Sequence, residues 1–246
     1  MTDFQYKRAP ITEAVVEFRS PKPIDVSKYP KAIKKLKKHY SDYTARPTQA
    51  YEFKIEQNSK PEARKIGSQL QHRFFSKDMR QQLRINDIAL LFSQLAPYEG
   101  WELFNQRIIR DWEAWKSVVG FRPINRIGMR YINRIDLPKT GDIVRYEDYV
   151  TVYPTLPSLL DPSIFHSVNV RVTLDDIDSI LNLNSAMVES PLPNHLAIVI
   201  DLDIIRVFQS PPSDEESYAF VNKARRKKND IFESCITDKA RELFNK

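Results

Sequence analysis

Arg126-Ile-Gly-Met-Arg-Tyr-Ile-Asn-Arg-Ile135 alternates without a break. Successive side chains of a strand point to opposite faces. Ile127, Met129, Tyr131, Asn133 and Ile135 therefore share one face, and Arg126, Gly128, Arg130, Ile132 and Arg134 the other. The first set suits packing beneath a helix. The second is too charged for an apolar core, where a guanidinium without a partner costs several kcal/mol. The pattern predicts a central strand in a sheet covered on one face. Asn133 falls on the covered face and should hydrogen-bond locally, since an unsatisfied buried amide costs about 1–3 kcal/mol.

Working outward, Glu13–Arg19 alternates in the same way, with Ala14, Val16 and Phe18 opposed to Glu13, Val15, Glu17 and Arg19. A helix is predicted over about 25–42 from the stripe Val26, Tyr29, Ile33, Leu36 and Tyr40. Strands follow at Tyr51–Gln57, Ser68–Ser76, Met79–Ile85 and Ile88–Ser93. A second helix over about 100–119 carries Trp101, Phe104, Ile108, Trp112, Trp115 and Val119 on one stripe, which reads as core. After the central strand come a short helical stretch at Arg145–Val150 and strands near 164–174, 178–188 and 195–208. One long helix is predicted over about 214–244, opened by a Ser213/Glu216 capping box. The order is β-α-β-β-β-β-α over residues 1–122 and β-α-β-β-β-α over 123–246. It predicts an α+β fold: a large twisted antiparallel sheet with helices mainly on one face, built from a duplicated unit as one integrated body. This order resembles the saddle of the TATA-box-binding protein fold, in topology alone.

Only five of the 246 residues are glycine, too few and too scattered for any glycine-loop phosphate cradle. The single cysteine, Cys235, excludes a disulfide framework and a thiolate metal site, and its neighbours Phe232 and Ile236 mark it as a small buried hydrophobe. The four histidines have no metal-ligand spacing, and neither GxSxG nor HExxH occurs. No cofactor, metal site or catalytic residue is expected. No apolar run is long enough to span a bilayer, and the N-terminus lacks a signal-peptide core. A cytoplasmic location without membrane contact is the expectation.

Three stretches carry a family resemblance: Ala9-Pro-Ile-Thr-Glu-Ala-Val-Val-Glu-Phe-Arg19, Arg126–Ile135, and Ile231-Phe-Glu-Ser-Cys-Ile-Thr-Asp-Lys-Ala-Arg-Glu-Leu-Phe244. Through Pro-Ile-x-Glu-Ala, Arg-Tyr-x-Asn-Arg-Ile and Phe-Glu-x-x-Ile-Thr, the chain resembles a sporadically distributed prokaryotic family of unknown function. The resemblance implies a bacterial or archaeal protein. A sporadic distribution is also shared by mobile genes, so a protein-interaction subunit of a toxin–antitoxin or defence system is one expectation.

Charge gives the other expectations. Residues 1–150 carry 28 basic and 18 acidic side chains, a net +10, whereas 151–246 carry a net −4. This asymmetry points to an anionic partner for the first half, nucleic acid or an acidic protein surface. The contact candidates are Lys31, Lys34, Lys35 and Lys38, on a helix without acids, and Arg126, Arg130 and Arg134. Cross-strand pairing of the arginines with Glu13, Glu17, Asp201 or Asp203 is the competing structural reading. A nucleotide or phosphate site in the concavity of the sheet is the alternative function. Glu13-x-x-x-Glu17-x-Arg19 and Glu52-x-Lys54-x-Glu56 depart from the Glu-x-Glu-x-Lys of tunnel enzymes that bind polyphosphate and metal. A non-enzymatic binding protein is therefore expected.

Overall fold

The computed structural model describes residues 6–54, 62–139, 144–159 and 165–245; for 48–54 and 62–69 it fixes the backbone alone. In the first half, β1 (Ile11–Arg19) leads to α1 (Tyr29–Leu36), then β2 (Asp42–Lys54), β3 (Glu62–Phe75), β4 (Gln81–Ile85), β5 (Ala89–Leu95) and α2 (Trp101–Val119). The second half contains β6 (Arg126–Pro138), β7 (Ser167–Leu174), β8 (Ser179–Glu189), β9 (His195–Val207), α3 (Asp214–Ser234) and α4 (Asp238–Asn245). The strands form one antiparallel sheet in the order β2-β3-β4-β5-β1-β6-β9-β8-β7. In each half the chain leaves its first strand for the outer edge of the sheet and returns inward strand by strand, and the two first strands, β1 and β6, pair at the centre. Among the described residues the second half contributes four strands against the first half's five.

The alternation of β6 decides which face is covered. Ile127, Met129, Tyr131, Ile135 and Leu137 are buried, together with Ala14, Val16 and Phe18 of β1 and Ile198, Ile200, Leu202 and Ile204 of β9. Helices α1 and α2 pack on each other, and α3 packs on β6 and β9. Trp112 stands edge-on to Phe18 at 5.2 Å, and all three tryptophans are buried, as their spacing predicts. Asn133 is buried and its Nδ2 donates to the Ile200 carbonyl at 3.1 Å.

Two helices differ from expectation. α1 proper is eight residues long, flanked by 3-10 turns at Val26–Lys28 and Lys37–His39. Its buried stripe is Tyr29, Ala32 and Leu36, continued by Tyr40, while Val26 is 70% exposed. The terminal helix is two helices. The capping box at Ser213 and Glu216 opens α3 as predicted, but the chain leaves the helix after Ser234. There Ile236 forms an isolated bridge with Val150, and Thr237 donates to the Asp148 carbonyl through Oγ1. These tertiary bonds outcompete helix continuation. Cys235 is buried at this break, and burial pushes its thiol up to about 11. In the charged strand read at Tyr51–Gln57, the side chains of Glu52 and Lys54, and Glu56 as a whole, lie outside the described residues.

Candidate functional site

The seven contact candidates separate into two places. Arg126, Arg130 and Arg134 stand on the uncovered face of the sheet, as alternation requires, and each meets a carboxylate. Arg126 pairs with Glu17 of β1. Arg130 grips Asp201 of β9 as a fork, with Nε at 2.9 and 3.1 Å and Nη2 at 2.5 Å. Arg134 Nε lies 3.3 Å from Asp136. Arg84 of β4 adds a 3.4 Å pair with Glu13. Antiparallel register explains the set, because it places Glu17 across from Gly128 and Asp203 across from Arg130. Asp203 shares this face; burial raises its pKa, against the pull of Arg126 and Arg130. The face is a lattice of alternating charges with two shallow depressions of about 380 and 300 Å³ that share Arg130 and Asp203. Its arginines are largely neutralised where they stand.

The lysines form a different surface. Lys31, Lys34 and Lys38 are exposed, and among the described residues they meet no carboxylate. Lys35 is engaged: its Nζ donates to Ser117 Oγ at 2.5 Å. Lys28 donates to the Val119 carbonyl at 2.8 Å, at the C-terminal end of α2. A helix C-terminus carries partial negative charge, so these two lysines tie α1 to it. Lys37 lies 4.0 Å from the Tyr43 ring centroid. What remains free is the outer face of α1.

A third place was not foreseen from the sequence. On the covered side, a cavity of about 350 Å³ opens between the N-terminus of α2, the segment before β1, strand β6 and helix α3. All three stretches that carry the family resemblance reach it, through Pro10 and Ile11, Tyr131 and Asn133, and Phe232 and Glu233. Lys228 is 6% exposed and sets its Nζ 4.0 Å above the Tyr131 ring. The Tyr131 and Tyr98 hydroxyls are 3.0 Å apart. Burial holds both protonated, with Tyr98 pushed up to about 12 and Tyr131 raised further. Glu233 is taken up by Tyr6, which donates to both its oxygens at 2.7 and 2.8 Å, and by Arg241 at 2.9 Å. Arg225 also lines the cavity, 6.0 Å from the Trp101 ring centroid. The other acids, Glu99, Glu102 and Asp230, are exposed at the mouth. The interior is therefore largely aromatic, with Lys228 set against the Tyr131 ring.

In sequence Lys228 looks like one more surface cation beside Lys223, Arg225, Arg226 and Lys227. Its phase shows otherwise: Ser217, Val221, Ala224 and Lys228 follow the 4, 3, 4 spacing of the buried stripe of α3. A lysine in phase with an apolar stripe was the available signal. Comparison with protein-family models and with curated proteins finds no match.

Proposed function

We propose that the protein binds nucleic acid through the outer face of α1, by neutralising backbone phosphates without reading bases. The observation that carries this reading is the contrast between the two cationic surfaces. The sheet arginines are paired with carboxylates, whereas Lys31 and Lys34 of α1 and Lys38 of the 3-10 turn that continues it are exposed in a stretch that contains no acid. Lysine is a point charge that suits phosphate, and this face presents no arginine fork or side-chain amide aimed at a base edge. Seven residues of helix separate Lys31 from Lys38, a rise of about 10 Å, along which a duplex carries one charge per about 1.7 Å. Contacts of this kind are sequence-tolerant and weakened by salt.

The triple variant Lys31→Gln, Lys34→Gln, Lys38→Gln is expected to lower the slope of log K against log salt by about two to three, at about 0.7–0.9 per phosphate contact. Glutamine is nearly as good a helix former as lysine, so α1 should persist. Arg130→Gln is the control: it breaks the fork to Asp201 and should lower thermal stability while leaving the slope unchanged. Fluorescence titration with short single- and double-stranded oligonucleotides at two salt concentrations reads both. A parent protein that binds neither oligonucleotide at low salt, or a triple variant with the parental slope, overturns the reading.

A second reading is favoured by the cavity beneath Lys228. Its aromatic walls suit a small molecule with a planar apolar body. Native mass spectrometry of the purified protein should show a small-molecule adduct, or acquire one with adenosine monophosphate as probe, and Lys228→Met should lose it. No adduct in either case, or one indifferent to Lys228→Met, rejects this second site.

A further inference from the structure

The two edges of the sheet are built differently. Strand β2 ends one side with Pro47 in its run and a register shift at Ala50/Tyr51, both devices that keep an edge from recruiting another strand. Strand β7 ends the other side as Ser167-Val-Asn-Val-Arg-Val-Thr-Leu174, with no proline or glycine and Arg171 as its one charge. It pairs with β8 over eight consecutive positions without a bulge. Asn169 through Thr173 are all exposed, and Val170 and Val172 are each 42% exposed. Among the described residues the first half contributes five strands and the second four, and β7 is the last strand on its side of the sheet.

We propose that β7 is a dimerisation edge, pairing antiparallel with β7 of a second copy across a two-fold axis and joining two nine-stranded sheets into one of eighteen. Period-two alternation limits the register. A two-fold axis perpendicular to the sheet keeps each face continuous, so a residue must pair with one of its own parity. Centred on Val170, that rule sets Val168 against Val172 and Asn169 against Arg171 on each side of the axis. Apolar pairs then meet on one face and a guanidinium meets an amide on the other. Centred on Arg171, it would set two guanidinium groups directly opposite each other, which is unfavourable. Asp175, Asp176 and Asp178 follow directly after β7. In this register antiparallel pairing sets the two Asp175 residues ten positions apart, about 34 Å at about 3.4 Å per residue, whereas parallel pairing would set the acidic ends side by side. Centred on Val170 the strand is self-complementary in the antiparallel orientation, and a second copy is the occupant that offers the same edge.

Sedimentation velocity across the micromolar range tests the proposal on the full chain. The parent should sediment as a dimer. Val170→Lys sets two ammonium groups together at the axis and should weaken dimerisation at least about tenfold. Val170 is exposed at an edge, so the variant keeps its fold, which circular dichroism checks. Phe121→Lys, at an apolar residue 86% exposed outside the sheet, should leave the dimer intact. Amide hydrogen exchange should show residues 167–174 protected in the parent and released in Val170→Lys. A monomeric parent, or a dimer that survives Val170→Lys, overturns the proposal.

Discussion

Arg107→Met is expected to destabilise the protein by about 3–5 kcal/mol, the range for removing one partner of a buried charge network. Arg107 is 4% exposed and Asp111, one turn later on α2, is fully buried. Their charges are joined through Tyr40. Arg107 Nη1 donates to the Tyr40 hydroxyl at 3.3 Å, and that hydroxyl donates to Asp111 Oδ2 at 2.5 Å. Arg107 also donates to the carbonyls of Gln82 at 3.2 Å and Ser93 at 2.6 Å, tying α2 to β4 and β5. Methionine fills much of the volume but makes none of these bonds. It leaves two buried carbonyls short of a donor and leaves Asp111 with Tyr40 and Arg110 alone. For a domain of this size each kcal/mol moves the melting temperature by about 2–4 °C, so the drop should be about 6–20 °C. Adding Asp111→Leu should recover part of the loss, because a buried ion pair replaced as a unit by apolar groups is often neutral. Urea denaturation of the two variants measures this. A cost below about 1 kcal/mol for Arg107→Met would show that the network adds little.

The elements that were legible in sequence were those set by local period and local chemistry. Ten residues of β6 gave the central strand and its covered face, because alternation alone assigns the faces, and the need for Asn133 to be bonded, though its partner, the Ile200 carbonyl, lies 67 residues on. The tryptophan stripe gave α2, and Ser213 with Glu216 gave the start of α3 to the residue. What escaped depended on distant partners. Arg107 and Asp111 lie on the core side of α2, but periodicity does not say that two charges will be joined through a tyrosine 67 and 71 residues away. For the arginines of β6 the sequence offered both a phosphate groove and pairing with Glu13, Glu17, Asp201 or Asp203, and only the register, set by distant strands, decides for the pairs with Glu17 and Asp201. The helix break at Cys235–Thr237 depends on Val150 and Asp148, which no local propensity reports. The cavity beneath Lys228 was hidden for the same reason: it exists only because β1 and β6 pair at the centre and α3 crosses them.

Stability should also fall as pH is lowered from 7 to about 5, and two histidines account for the direction. His72 and His166 are each 5% exposed, and burial lowers the pKa of both from the usual value of 6.5. His72 lies between the Tyr29 and Tyr43 rings, with Nδ1 2.8 Å from the Tyr43 hydroxyl. His166 packs edge-on to Tyr146 at 4.8 Å, and among the described residues neither of its ring nitrogens has a hydrogen-bond partner. No carboxylate is among these contacts to favour the imidazolium form. Below pH 6.5 the unfolded chain binds protons at these two positions while the folded chain does not. Stability is then lost as pH falls from 6.5 toward the lower folded values, at no more than about 1.4 kcal/mol per pH unit for each group. Ordinary carboxylates titrate near 4, below this window, so the imidazoles dominate it. Urea unfolding at several pH values between about 7 and 5 should give a falling free energy for the parent. The double variant His72→Gln, His166→Gln should be less stable at neutral pH, having lost packing, yet flatter across the window. A double variant that keeps the parental slope would place the protons elsewhere, with exposed His39 the next group to replace, since its pKa is lowered in the same direction.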